Sequence, residues 1–382
     1  MQGSIIKRGN KYSFVINLGR DPVTKKRKQK RVSGFTSKKK AQAAMNDVIN
    51  ELNKGSYVEP SSETLGDYLD DWLKHKEKRI AHSTYLHYKS YLNNHIKPAL
   101  GNVKVFDLKP RQVQSFYDSL LEKGDLSERS VHHIHRILSN ALEKGARIGD
   151  IQSNVAKAVE PATVRKKEMN FWDMDILSDF LDATRQEAHY ISWYLGAFTG
   201  MRQGEILGLK WDCVDFENKT IHVRRALKRD NDKHIIADLK NNASYRTIAI
   251  SDSDVFELKK HHNEQKEIKM KIGKDYHDYN LVVATGSGNY VLPSNIWRSF
   301  NRCIERLEVE RIRFHDLRHT HASMLFSLDV HPKIVQERLG HSSITVTLDT
   351  YSHMLPNMQE AVAESLESAF KKETKNKNKE SL

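Results

Sequence analysis

The second half of the chain holds the side chains that could cut a phosphodiester. His315 and Arg318 stand three apart in Phe314-His315-Asp316-Leu317-Arg318-His319-Thr320-His321, so on a helix they share a face. A first helical turn also presents unpaired N–H groups and the positive end of the helix dipole, a seat for an anion. His341 follows Leu339-Gly340, where glycine can end a helix, and Tyr351 comes ten residues later. Upstream, Thr199-Gly200-Met201-Arg202-Gln203-Gly204-Glu205 puts Arg202 in the first turn of a helix, with Glu205 at i+3 able to hold its guanidinium. Arginines that fork onto phosphate oxygens, two histidines and a phenol are the groups a phosphoryl transesterification needs, with Tyr351 as candidate nucleophile. Singly, each group has an ordinary explanation: Arg202 with Glu205 could be a surface ion pair worth about 0.3 kcal/mol.

Positioning these groups requires a mixed helical domain. Ile191 to Phe198 is an apolar run that reads as a buried helix broken at Gly200. Val214–Phe216 and Thr220–Val223 read as a hairpin, and His234–Leu239 with Tyr245–Ile250 as another, whose loop 240–244 carries Lys240. Lys233 and Arg246 are further cations nearby. Residues 252–278 read as a polar helix, and Trp297, Phe300, Ile304 and Leu307 as the inner face of a core helix after Pro293. A last amphipathic helix is expected over 357–370. Gly286-Ser287-Gly288 is a turn, since no G-x-x-x-x-G-K-[ST] phosphate loop occurs.

With 62 Lys and Arg against 49 Asp and Glu, the formal charge of +13 calls for a polyanionic partner, nucleic acid before membrane. No apolar run approaches membrane-spanning length and the N-terminus is no signal sequence, so a cytoplasmic protein is expected. Cys213 and Cys303, the only cysteines, make neither a disulfide framework nor a zinc motif. His132, His133 and His135 fall on a polar helical stretch and read as solvent- or DNA-facing rather than as ligands, so no metal or cofactor is expected.

Charge also locates a domain. Residues 1–59 carry 14 Lys or Arg against 4 Asp or Glu. Ser4–Lys7, Tyr12–Leu18 and Lys25–Gly34 read as three strands, with a turn at 19–24 and a helix from Ser37 to Leu52 behind them. Lys25, Lys26, Arg27, Lys28, Lys30 and Arg31 lie on the hairpin, and a basic ribbon is narrow enough for the major groove. The plain alternative is a solvated charge run. A polar linker over 55–63 leads to four helical patterns, opening near Leu65, at Ser83, at Pro110 and at Ser127; the second ends at Pro98 and the fourth at Gly145. Residues 161–167 read as a basic hinge.

The ordered set of T-G-x-R-x-x-E, a hairpin lysine, H-x-x-R, L-G-H and a final Tyr resembles the tyrosine recombinase (phage integrase) family over about 170–360. The family often has Thr-Lys-Thr where this chain has Leu239-Lys240-Asn241, a mild departure. The resemblance implies a multidomain, mainly α protein with small β-sheets. Its parts would be an arm-type DNA-binding domain over 1–56, a helical core-binding domain over 64–160 and a mixed α+β catalytic domain over 170–370; the polar, lysine-rich composition of 371–382 reads as a disordered basic tail. It implies that Arg202 and Arg318 grip the scissile phosphate, that His315 is the base for Tyr351 and Lys240 the acid for the leaving oxygen, and that His341 donates to the phosphate. The implied partners are double-stranded DNA at core and arm sites and a homotetramer, with an excisionase and a host DNA-bending protein as candidates. The basic front domain favours a mobile-element integrase over a chromosome-dimer resolvase. A type IB topoisomerase-like enzyme shares the chemistry without partner exchange. A metal phosphoesterase would want more carboxylates beside the histidines, and a non-catalytic regulator would not need the converging set.

Overall fold

The computed structural model describes residues 3–20, 25–53, 57, 62–164, 170–230, 233–239 and 244–351, with 20 and 349–351 as backbone only. The expected turn at Asp21-Pro22, Lys240, the 357–370 helix and the 371–382 tail lie outside the described residues. The chain forms two compact units, residues 1–166 and 167–382.

The first unit begins with an antiparallel sheet in the order β1 (Gly3–Arg8), β2 (Lys11–Arg20), β3 (Arg27–Phe35). Side chains alternate across a strand, so Ile5, Phe14, Ile16 and Val32 face α1 (Lys38–Asn53), which returns Ala41, Ala44, Met45, Val48 and Ile49. The basic residues of β3 are therefore divided between two faces. Arg31, in register with Val15, lies on the open face and donates to Ser13 Oγ at 3.3 Å. Lys30, opposite buried Ile16, lies on the helix side and donates to Tyr57 Oη at 2.8 Å.

Helices α2 (Leu65–Glu77), α3 (His82–Tyr91), α4 (Lys97–Leu100), α5 (Pro110–Glu122) and α6 (Glu128–Ile148) share one core, including Leu69, Leu92, Ile96, Val113, Tyr117, Ile134 and Leu138. Three expected boundaries move. Ala81, not Ser83, precedes α3. Pro98 does not end its helix: a π turn over Leu92–Ile96 lets Lys97 N–H bond Leu92 O, five residues back, and the chain stays helical through the proline to Leu100. The offset ladder absorbs the missing proline donor, which would otherwise break the helix. Gly145 sits inside α6, which runs to a left-handed cap at Gly149 (φ +83°). A Cβ at Gly145 would lie 2.5 Å from Tyr68 Oη, and that hydroxyl donates to Ala141 O at 2.7 Å. The glycine is there for close packing rather than termination.

The second unit is built on α7 (Met174–Ala183) and α8 (Tyr190–Thr199), the latter buried nearly all round as its apolar sequence requires. Next come α9 (Gln203–Leu207) and the strands β4 (Val214–Asp215), β5 (Thr220–Val223), β6 (Arg225–Asp230), β7 (Lys233–Asp238) and β8 (Arg246–Ala249). The second hairpin is not the expected one. β7 pairs with β6, an unforeseen strand, while β8 pairs with β5. β7 and β8 therefore belong to different sheets. Buried Ile248 of β8 lies in register with buried Ile221 of β5, whereas β6 and β7 are close enough in sequence to pair locally. Then follow α10 (Asp252–Ile272), α11 (Pro293–Leu307), α12 (Asp316–Ser327), α13 (Pro332–Leu339) and α14 (Ile344–Tyr351).

Trp172, Phe180, Trp193 and Phe300 form the aromatic centre of this unit, and Phe314 sets its ring edge-on to Phe300. Trp297 is not in this core, being 54% exposed, because α11 buries the Ile296-Phe300-Cys303-Ile304 stripe and turns position 297 outward. Leu317 lies within van der Waals reach of where a Gly196 Cβ would be, so this glycine lets α12 approach α8. Two of the sequence boxes are thereby brought side by side.

Candidate active site

The first limb of the site is the bend between α8 and α9. Gly200 caps α8 in the left-handed region (φ +63°), and a Cβ there would come within 2.7 Å of both His321 and Leu339. Arg202 is the extended residue just before α9, not part of its first turn. Glu205, 3% exposed, is bonded from three directions. It accepts from Arg202 N (2.9 Å), from Arg202 Nη1 (2.9 Å) and from Arg246 Nη2 (2.8 Å). Burial raises the Glu205 carboxyl, but the Arg246 bond and charge, with those of Arg202, hold it below the usual range. The carboxylate thus fixes one guanidinium from β8 and another before α9.

The second limb is the start of α12. His315 precedes it, Asp316 and Arg318 lie in its first turn, and Arg318 is buried. Arg318 Nη1 donates to Gly200 O at 2.7 Å, tying the His-x-x-Arg segment to the first bend. Asp316 accepts from Arg313 N (2.8 Å), Nε (2.9 Å) and Nη2 (2.7 Å), so its carboxylate is already committed and pins the segment before the helix. The His319 ring stands edge-on to His315 with centroids 5.4 Å apart.

The third limb is the end of α13. Gly340 caps it in the left-handed region, and its carbonyl accepts from Arg202 Nη2 at 3.0 Å. Gln336 holds the His341 backbone both ways, accepting from its N–H (3.1 Å) and donating to its carbonyl (3.0 Å). The His341 ring meets Thr347 Oγ1 at 2.8 Å through Nδ1, which anchors α14 to the site. Tyr351 is the last residue of α14, four positions after Thr347, so the two positions share a helix face.

Arg202, Glu205, Arg318 and the His341 segment are therefore joined by hydrogen bonds across distant parts of the sequence, and His315 flanks Arg318. The histidines record the resulting charge. His341 is pushed down to about 3 by burial first, then by Arg318 and Arg202. His315 is lowered by burial and by Arg318, and His319 falls to about 4 through burial and His315. All three are neutral at pH 7, amid a guanidinium excess that favours a bound anion. Among the described residues no group of three His, Cys, Asp or Glu could hold a metal ion.

In the sequence Arg246 stands only as a nearby cation, and nothing local marks Arg338 or Thr347. Arg246 is signalled by nothing local, since its partner Glu205 lies 41 residues away. His321, given no chemistry above, is buried and accepts at Nε2 from Arg338 Nε (3.0 Å), while Nδ1 meets Ala197 O at 2.8 Å. Burial, then Arg338, pushes it down to about 3.

Family models match three consecutive stretches: an arm DNA-binding domain over 4–52, a phage integrase N-terminal SAM-like domain over 64–121, and the phage integrase family over 173–358. A protein named tyrosine recombinase XerC-like, from Caldanaerobacter subterraneus subsp. tengcongensis, is 30% identical over 96% of this chain and 98% of its own length. The ICEBs1 integrase of Bacillus subtilis is 24% identical over 93% of this chain and 96% of its own. Among solved structures, the Tn1549 transposon integrase with a circular intermediate DNA superposes at a TM-score of 0.67, at 20% identity over 80% of this chain and all of that one. A lambda integrase tetramer bound to a Holliday junction gives 0.55, at 19% identity over 89% of this chain and 96% of that one. The protein belongs to the phage integrase family, the tyrosine recombinases.

Proposed function

We propose that this enzyme is the integrase of a phage or integrative element, cutting and rejoining duplex DNA through a 3′-phosphotyrosyl link on Tyr351. One observation carries the reading: the Arg202, Arg318 and His341 segments are cross-bonded into one cationic site, by Arg318 to Gly200 O and Arg202 to Gly340 O.

In the first step the Tyr351 oxygen attacks phosphorus, its proton passing to neutral His315. The bond from phosphorus to the 5′ oxygen breaks, and Lys240 gives that oxygen its proton. An unperturbed phenol titrates near ~10, so a base is needed at pH 7. Arg202 and Arg318 neutralise the non-bridging oxygens as forks, a geometry lysine cannot copy. Stabilising that charge is often the largest catalytic contribution. If Thr347 donates to His341 Nδ1, the Nε2–H is left to donate to the phosphate. The covalent link keeps the bond energy, so a 5′ hydroxyl from the partner duplex reverses the step without a nucleotide cofactor.

Residues 1–56 would bind arm DNA through the open face bearing Arg31, residues 64–160 would clamp the core site, and residues 170–370 would cut it. A tetramer passing through a four-way junction would complete the exchange. Excisionase and host bending protein belong to this proposal. The described residues include no helix long and apolar enough to cross a membrane; work on DNA in a bacterial cytoplasm is part of the same reading.

The test is to incubate the protein with paired attachment-site DNA and, separately, with a supercoiled plasmid carrying no such site. Recombinant product from the pair supports an integrase. Relaxation of the plasmid without recombinants would mean a type IB topoisomerase-like enzyme instead.

A further inference from the structure

We propose that Arg338 is a positioning residue, one that never contacts DNA and sets the geometry of both phosphate-gripping arginines. The inference rests on the function proposed above. Arg338 is half-buried in the last turn of α13, and its guanidinium donates to three elements at once. Nε reaches His321 Nε2 on α12 at 3.0 Å, Nη1 reaches Ala249 O at the end of β8 at 2.9 Å, and Nη2 reaches Phe198 O near the end of α8 at 3.0 Å. The acceptors are neutral and diverge, so what the fork supplies is direction more than charge.

Two of these bonds, to His321 and to Phe198 O, lead to a catalytic group. His321, held between Arg338 and Ala197 O, presses its ring edge against the left-handed Gly200, leaving no room for a Cβ. Gly200 O in turn accepts from Arg318. The Phe198 bond fixes the end of α8, from which the bend to Arg202 departs. On the other side, the carbonyl of Arg338 accepts from Arg246 Nε at 2.7 Å, and Arg246 holds Glu205, which holds Arg202. Arg338 thus reaches Arg318 through its side chain and Arg202 also through its backbone. A side-chain substitution leaves the backbone link in place, so the two arms can be separated.

The experiment is single-turnover adduct formation by the full-length protein on a nicked core-site duplex, at saturating DNA, with DNA affinity and thermal melting measured alongside. Arg338→Ala and Arg338→Lys should each lose about 10- to 100-fold in cleavage rate, the scale of a catalytic group displaced by about 1 Å. Affinity should stay within about threefold of wild type. His321→Gln, whose amide can accept from Arg338 and donate to Ala197 O, should cleave at near the wild-type rate, whereas His321→Leu should match Arg338→Ala. The Ala/Leu double variant should be no worse than either single one, as expected for residues acting as a unit. A wild-type rate for Arg338→Lys would show a charge role and overturn the proposal. So would a rate loss explained by weaker DNA binding, or His321→Gln as slow as His321→Leu. If Arg338→Ala has no melting transition, the Gln and Leu variants at 321 decide by the same comparison. A wild-type protein that forms no adduct overturns the proposed function and this inference with it; a wild-type adduct with unchanged Arg338 variants overturns this inference alone.

Discussion

Glu205→Gln changes one atom in a buried carboxylate that accepts three hydrogen bonds, and each of those bonds responds in a definite way. Glu205 Oε2 accepts from Arg202 N and Arg246 Nη2, and Oε1 from Arg202 Nη1. A glutamine can keep an oxygen in only one of those places. With oxygen at the Oε2 position its amide N–H faces the Arg202 guanidinium, donor against donor. Arg246 is 6% exposed at its side chain and loses its compensating charge. Removing one partner of a buried pair costs about 3–5 kcal/mol, and the bonds glutamine keeps place the expected loss near ~3 kcal/mol. Arg202, 38% exposed at its side chain, keeps its bond to Gly340 O but not its fixed rotamer. That mispositioning should slow cleavage about 100-fold, near ~2.7 kcal/mol of barrier. Urea unfolding reads the first quantity and single-turnover adduct formation the second. The Glu205 pKa lies below its unfolded value, so its stabilisation is present above pH 4.5 and is lost as pH falls through the folded pKa. The gap between wild type and variant should therefore narrow in acid. A variant within about 0.5 kcal/mol and twofold of wild type, the range of an ordinary surface change, would show that Glu205 fixes neither arginine.

Gly200→Ala should destabilise by about 2–4 kcal/mol, adding left-handed strain to overpacking against His321 and Leu339, as read by urea unfolding. His321 is neutral when folded and titrates near 6.5 when unfolded, so its contribution is present above pH 6.5 and is lost as pH falls toward about 3. The stability difference between wild type and His321→Gln should change by about 1.4 kcal/mol per pH unit between roughly pH 6 and 4, as seen in unfolding titrations. On the arm sheet, Arg31→Ala should lower the salt slope of arm-DNA binding by about 1, whereas Lys30→Ala, on the helix side with Tyr57, should leave it unchanged.

What could be read in the sequence was local. His315 with Arg318, Leu339-Gly340-His341 and the three strands with their helix are short-range patterns, and their spacing carries their geometry. The partner of β8 could not be read this way: it pairs with β5, where buried Ile248 lies in register with Ile221, while the nearer β7 is taken by β6. Pro98 and Gly145 have residue types that usually end helices, yet a π turn accommodates the first and Tyr68 packs on the second. Trp297 fits the apolar stripe of α11 by composition, but the helix turns it outward. The support behind the two arginines was invisible for the same reason: Arg246 and Arg338 act on groups brought near only by folding.

On the proposed mechanism the phenolic oxygen at position 351 becomes esterified to the cleaved strand. Wild-type protein and Tyr351→Phe should be incubated with a labelled core-site duplex, denatured, and the labelled peptide mapped. The expected result is a covalent adduct on the peptide containing Tyr351 for wild type and none for the variant. An adduct on another residue, or cutting and resealing by Tyr351→Phe at the wild-type rate, would contradict it.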